Sequence, residues 1–173
     1  ATAANNSGAA LLSLINDILD FSKIEANKIE IENIPFNVVD LVEEICYLQS
    51  EPASRKNIEL SHVIDASIDM DFVGDPGKLR QVLMNLTNNA IKFTESGHID
   101  LLVDRKKVVG TDTSILNFRI NDTGIGMDDE TCERVFEPFT QADASTTRQY
   151  GGTGLGLSIT KSYVERMGGS IHV

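Results

Sequence analysis

The sequence predicts an α+β fold, a layered sandwich of helices on a sheet, with one long helix ahead of it. Three observations predict this. Some segments repeat apolar residues at the helical period of 3.6. Others alternate apolar and polar residues at the strand period of two. The two kinds are mixed without the strict strand–helix–strand repetition of a parallel-sheet fold. At 173 residues the chain suits one compact domain plus an extra element.

Residues 5–27 read as the leading helix. Leu11, Leu12, Leu14, Ile15, Ile18, Leu19 and Phe21 cover about half its circumference, more than a surface helix needs and suited to a four-helix bundle. The period then changes to two in Lys28-Ile29-Glu30-Ile31-Glu32, which reads as a half-buried strand. The boundary between helical stalk (1–27) and globular domain (28–173) is placed there. Asn37 can cap a second helix, with Asp40 in the capping-box position and Val38, Leu41, Val42, Ile45 and Leu48 as its buried stripe. A strand follows near Ile58 to Ile64. Asp75-Pro76 puts a cap and a first-turn proline in their preferred places, opening a helix that runs to Phe93. Two alternating strands, near His98 to Val103 and Ser114 to Asn121, are joined by a polar turn at Gly110-Thr111-Asp112, so they should pair antiparallel. A short helix is expected from Asp128 to Val135. Residues 137–150 are polar and aperiodic, as in a long mobile loop. A last helix opens near Thr153 and ends at Met167-Gly168-Gly169, and Ser170 to Val173 begins another strand.

Composition removes several function classes. Formal net charge is −11 at pH 7, which disfavours nucleic acid as a partner. It does not exclude an anionic small ligand, because a few local cations and a metal can hold phosphates. No window has the uninterrupted apolar length of a membrane span, and no signal-peptide pattern opens the chain. Cys46 and Cys132 lie far apart and the three histidines are scattered, so no zinc spacing is present. A reduced, cytoplasmic protein is expected.

The helix from Pro76 to Phe93 carries the strongest chemical signal. Beside its stripe of Leu79, Val82, Leu83, Leu86, Ala90 and Phe93, the residues Asn85, Asn89 and Lys92 line up at i, i+4 and i+7. A polar line bordering the core is where a pocket wall would be. An Asn oxygen suits Mg²⁺, and Lys92 can meet a phosphate as a point charge. Taken alone, such a line is more often a solvated face. Asn121-Asp122-Thr123-Gly124-Ile125-Gly126 follows a strand directly. The carboxylate of Asp122 can accept from an exocyclic amine such as adenine's, and Gly124 and Gly126 would let backbone approach a flat ring. A plain Asp-Thr-Gly turn is the alternative. Gly151-Gly152-Thr153-Gly154-Leu155-Gly156-Leu157 opens a helix, so its backbone N–H groups can bind an anion. It lacks the Gly-Lys-Ser/Thr ending of a Walker A loop and the preceding strand of a dinucleotide-binding turn, which leaves a phosphate loop of another kind or a hinge. Arg148 is a candidate second cation for phosphate, or an ordinary exposed arginine. Phe136-Glu137-Pro138-Phe139 reads as a turn with two core phenylalanines anchoring one end of a loop.

In this order the segments resemble the histidine-kinase family, within the superfamily of gyrase, Hsp90-type chaperone, histidine-kinase and MutL-type ATPases. Asn85-Leu86-Thr87-Asn88-Asn89-Ala90-Ile91-Lys92-Phe93 resembles its N box and Asp122-Thr123-Gly124-Ile125-Gly126 its G1 box. Phe136-Glu137-Pro138-Phe139 resembles its F box, and Gly152-Thr153-Gly154-Leu155-Gly156-Leu157 its G2 box. Leu14 to Lys23 resembles the second helix of the family's dimerisation domain, in wording typical of hybrid kinases.

The resemblance implies a Bergerat-type fold, with a mixed sheet and helices on one face. It implies ATP as substrate, Mg²⁺ held by Asn89 and adenine read by Asp122. Asn85, Lys92 and the backbone at Gly152, Thr153, Gly154, Leu155 and Gly156 would line the nucleotide, with Gly124 and Gly126 under it. Asn85, Lys92 and Arg148 would serve the transfer, and residues from about Gln141 to Gly151 would form the lid. The γ-phosphoryl group would pass to a histidine on a dimerisation domain, in a homodimeric full-length protein that also works with a response-regulator receiver domain. Nucleic acid is not an implied partner. The family's acceptor histidine stands beside an acidic residue, whereas His62, His98 and His172 are not followed by Asp or Glu. The acceptor helix is therefore expected to be absent, and the end at Ile171-His172-Val173 implies trimming there too. The hydrolysing branch of the superfamily places a glutamate at the position of Asn85, and an amide cannot replace that base. A nucleotide-responsive module without catalysis is the other alternative.

Overall fold

The computed structural model describes residues 2–68, 71–110, 113–140 and 153–173. In chain order the elements are α1 (Thr2–Glu25), β1 (Ile34–Asn37), α2 (Val38–Arg55), β2 (Ile58–Ile64), β3 (Asp71–Gly74), α3 (Pro76–Phe93), β4 (Gly97–Lys107), β5 (Ser114–Asp122), α4 (Asp129–Arg134) and α5 (Gly156–Arg166). They belong to two compact units, Glu32–Gly126 and Ala1–Ile31 with Met127–Val173.

In the unit Glu32–Gly126, β2 and β4 run parallel, with Ile58 opposite Gly97. The expected antiparallel pair is β4 with β5, from Ile99 opposite Asp122 to Lys107 opposite Ser114. The mixed sheet is thus ordered β2-β4-β5. Leu101, Val103, Leu116, Phe118 and Ile120 point to one face, where Val38, Leu41, Val42 and Ile45 of α2 and Leu83 of α3 complete a core. A second cluster joins Ala53, Ile58, Ala90, Ile91 and Ile99. Each fully buried Leu, Ile or Val side chain contributes about 1.5–3 kcal/mol. On the opposite face, Asn117 donates to Asp104 at 2.8 Å and remains exposed. Helices on one face and polar groups on the other make the two-layer α+β arrangement.

Local chemistry sets the helix ends. The Asn37 side-chain oxygen accepts from the backbone N–H of Val39 and Asp40, at 2.8 and 3.2 Å. Asp75 caps α3 by accepting from Lys78 N–H at 2.8 Å, and its other oxygen accepts from Glu32 N–H at 3.0 Å. Asn57 ends α2 in the left-handed conformation, with φ 57°.

Four expectations need correction. Ile29 and Ile31 are half-buried between exposed neighbours, as alternation predicts, but Lys28 to Glu32 form no strand. Ser170 to Val173 likewise form none. Alternation specifies a face, whereas a strand also requires a pairing partner. The strand of this region is β1, paired antiparallel with β3. Both have four residues, too short for a period, and Pro35 lacks an N–H to advertise a ladder. On α2, Leu48 is exposed while Gln49 and Ala53 continue the buried line. The line runs i, i+4, i+8 from Ile45, and Gln49 is accommodated by donating to Met84 Sδ at 3.4 Å. Finally, α5 begins at Gly156 rather than near Thr153, because Gly154 has φ +70°, outside helical space.

In the other unit the apolar residues of α1 are not enclosed. Leu11, Leu12, Leu14, Ile15, Ile18 and Leu19 are all exposed. Phe21 meets Phe139 edge to face at 5.8 Å, and Asp17 accepts from Thr153 Oγ1 at 3.1 Å. Burial raises the Asp17 pKa, the Thr153 hydrogen bond opposing it and the Asp20 charge adding to it. Arg166 of α5 donates to Ile24 O and Asn27 Oδ1, at 3.3 and 2.8 Å. Leu155, Ile159 and Tyr163 are buried.

Candidate functional site

Asn85, Asn89 and Lys92 are all half-buried on α3, since Val82, Leu83, Ala90 and Ile91 commit the adjoining stripe to the core. Partial burial lowers the Lys92 pKa, and its ammonium lies 4.6 Å from the centre of the Phe93 ring. A lysine held this way gains from an anion that replaces its lost hydration.

The Asp122 turn meets the end of α3. Ile125 N–H donates to Phe93 O at 3.3 Å. A Cβ on Gly124 would lie 2.6 Å from that same oxygen and 3.0 Å from the Phe93 carbonyl carbon. The close approach at Gly124 is therefore to the helix's own carbonyl, and only glycine permits it. Gly124 N–H in turn donates to Asp122 Oδ1 at 2.9 Å. That bond orients the exposed carboxylate at the end of β5 and engages one of its two oxygens. Gly126 has φ +69°. The ladder thus delivers Asp122, and the glycine turn fastens it to the helix that carries Asn89 and Lys92.

Thr153, Gly154, Leu155 and Gly156 lie in the other unit. Gly154 O accepts from Phe139 N–H at 3.0 Å, and a Cβ on Gly154 would come within 2.9 Å of the Phe139 backbone. The two segments flanking residues 141–152 therefore meet. Thr153 Oγ1 accepts from Leu155 N–H at 3.0 Å. The Leu155 side chain is buried, and its carbonyl accepts from Ser158 Oγ and Ile159 N–H. Arg148 and Gly152 lie outside the described residues, as does the expected lid from Gln141 to Gly151. Phe139, read from the sequence as a core residue, is 67% exposed and has φ 62°.

Sequence reasoning passed over Lys56. Its ammonium donates to Ile91 O, Lys92 O and Thr94 O at 2.7, 2.8 and 3.2 Å. The available signal was a lysine at the end of one helix, directly before the left-handed Asn57.

Comparison with known proteins gives the family and the fold. The family described as histidine kinase-, DNA gyrase B-, and HSP90-like ATPase matches residues 74–173. Hybrid signal transduction histidine kinase K of Dictyostelium discoideum is 43% identical over 179 residues, covering 100% of this chain; the chain spans 15% of that protein. Full-length ShkA, crystallised in complex with AMPPNP, superposes with a TM-score of 0.83 at 34% identity, over 99% of this chain and 34% of that one. The histidine kinase ThkA in complex with the response regulator TrrA gives 0.67 at 25% identity, over 97% of this chain and 44% of that one. With the asparagine helix, the Asp122 turn and the Thr153–Gly156 turn all present, the chain belongs to the histidine kinase-, DNA gyrase B- and HSP90-like ATPase family, and within it is an ATP-binding domain of the histidine-kinase kind.

Proposed function

We propose that the chain binds Mg·ATP at the end of α3 and transfers the γ-phosphoryl group to a histidine on a dimerisation domain. The observation that carries this reading is the Phe93–Gly124 junction, which fixes the Asp122 carboxylate beside the helix bearing Asn89 and Lys92. An acceptor-only carboxylate selects an amine donor, and adenine offers one at its edge. Lys92 meets phosphate oxygens; the glycine-rich turn ahead of α5 is assigned to phosphate on the family resemblance alone. Arg148 is assigned to phosphate as a further cation.

The Asn89 side-chain oxygen fits Mg²⁺ as a neutral ligand. Among the described residues no group of three or more His, Cys, Asp or Glu could hold a metal, so phosphate oxygens and water would complete the shell, as Mg²⁺ prefers. Bound Mg²⁺ supplies charge neutralisation. The protein contributes positioning, which carries most of the rate in phosphoryl transfer. The bond between the γ-phosphorus and the bridging oxygen breaks, a bond to the histidine nitrogen forms, and ADP leaves. Asn85 occupies the position of the hydrolytic base and cannot activate water, which favours transfer over hydrolysis.

We assign residues 1–27 to the second helix of the dimerisation domain and residues 28–173 to the catalytic domain. The exposed leucines and isoleucines of α1 support its pairing with another helix in a homodimer. The ThkA–TrrA complex supports a receiver domain as the next partner, and a domain working with one belongs in the cytoplasm.

Replacing Asn89 tests the metal assignment. Asn89→Ala should lose most of the Mg²⁺ enhancement of ATP binding in calorimetry, while metal-free ADP binding stays close to that of the unmodified chain. Equal losses with and without Mg²⁺ would assign Asn89 to folding instead.

A further inference from the structure

The last carbonyls of a helix have no partners within it, and those of α3 are all accounted for. Ala90 O accepts from Thr94 N–H at 3.0 Å, and Phe93 O accepts from Ile125 N–H at 3.3 Å. Ile91 O and Lys92 O, with Thr94 O just beyond, converge on the ammonium of Lys56. An ammonium has three donors, matching three convergent oxygens. Its charge also lies at the negative end of the helix dipole.

The chain path explains how Lys56 arrives there. Asn57 turns α2 off in the left-handed conformation, and β2 starts at once with Ile58 beside Gly97 in parallel register. That register sets the residues just before β2 against those just before β4, which are the end of α3. The same end carries Asn89 and Lys92, and its Phe93 carbonyl anchors the Gly124 turn.

We propose that Lys56 is a positioning residue for the nucleotide site: by holding the terminal carbonyls of α3 it fixes Lys92 and the Phe93–Gly124 junction in their nucleotide-binding arrangement. It touches neither nucleotide nor reacting atoms. The proposal rests on the nucleotide site assigned above, and the test separates the two. ADP affinity is measured by calorimetry for the unmodified chain, for Lys56→Met and for Val103→Ala, each well below its melting temperature. Val103 lies in the core, further along β4, and its truncation serves as a destabilised control.

Lys56→Met should weaken ADP roughly fivefold to fiftyfold, the loss expected when charge-assisted hydrogen bonds that hold a site are removed. Val103→Ala should leave affinity unchanged despite a lower melting temperature. Amide exchange at Thr94 and Ile125 should quicken in Lys56→Met and not in Val103→Ala. Should Lys56→Met fail to fold, Lys56→Gln keeps two N–H donors without charge and carries the same comparison. Unchanged ADP affinity in the Lys56 variant, or exchange that rises evenly across the sheet, would overturn the proposal. No ADP binding by the unmodified chain would overturn the site assignment and this proposal with it.

Discussion

Asp122→Ala is expected to weaken ADP by about tenfold to a hundredfold, because losing a charged hydrogen-bond partner costs roughly 1.5–3 kcal/mol. Asp122 is exposed at the end of β5, so the fold should tolerate the change. The side chain does hold Gly124 N–H, and part of the loss will come from loosening that turn. Asp122→Asn separates the two contributions. Its oxygen can still accept from Gly124, while its amide group disfavours an amine ligand. Calorimetry with ADP should therefore find Asp122→Asn nearly as impaired as Asp122→Ala. Wild-type affinity in both would place adenine elsewhere.

Gly124→Ala should be more damaging, since it affects folding and binding together. The added methyl carbon would sit 2.6 Å from Phe93 O and 2.8 Å from Asp122 Oδ1. The carboxylate can swing away, but the helix carbonyl is backbone. Either the end of α3 or the turn must move, and overpacking of this kind costs about 1–3 kcal/mol. The Ile125–Phe93 hydrogen bond should be lost, and ADP affinity should fall at least as far as in Asp122→Ala. Gly126→Ala provides the contrast. Its Cβ would meet nothing within 4 Å, so its cost to folding is that of a positive φ, about 1–2 kcal/mol. Thermal unfolding and calorimetry on both variants check the order. A Gly124→Ala protein with unchanged melting temperature and ADP affinity would remove the junction from the site.

The elements legible in the sequence were those with both a period and punctuation. Asp75-Pro76 and a continuous apolar stripe specified α3 from Pro76 to Phe93, and Asn37 specified the start of α2. The β4–β5 pair was legible from alternation, because one face of each strand is buried. Lys28 to Glu32 shows the limit, since its alternation reproduces the burial pattern and still yields no strand. β1 and β3 were invisible because four residues cannot display a period.

The site divides in the same way. Asn85, Asn89, Lys92 and Asp122 were recognisable as side chains suited to metal, phosphate and amine. What joins them was not. Phe93 O meets the Gly124 turn backbone to backbone, and the Lys56 ammonium meets three backbone carbonyls, in each case between partners far apart in sequence. Backbone oxygens carry no residue-specific signal.

Phosphoryl transfer in trans tests the central claim most directly. Radiolabelled ATP is supplied to the chain alone and then together with a separate dimerisation domain carrying an acceptor histidine. The chain alone should acquire no acid-labile label, because His62, His98 and His172 do not stand in an acceptor context. The dimerisation domain should acquire it, at a reduced rate, since an untethered acceptor forgoes part of the proximity on which such reactions depend. Label absent from the partner at high concentration, with ATP binding confirmed, would contradict the kinase reading and leave a nucleotide-responsive module.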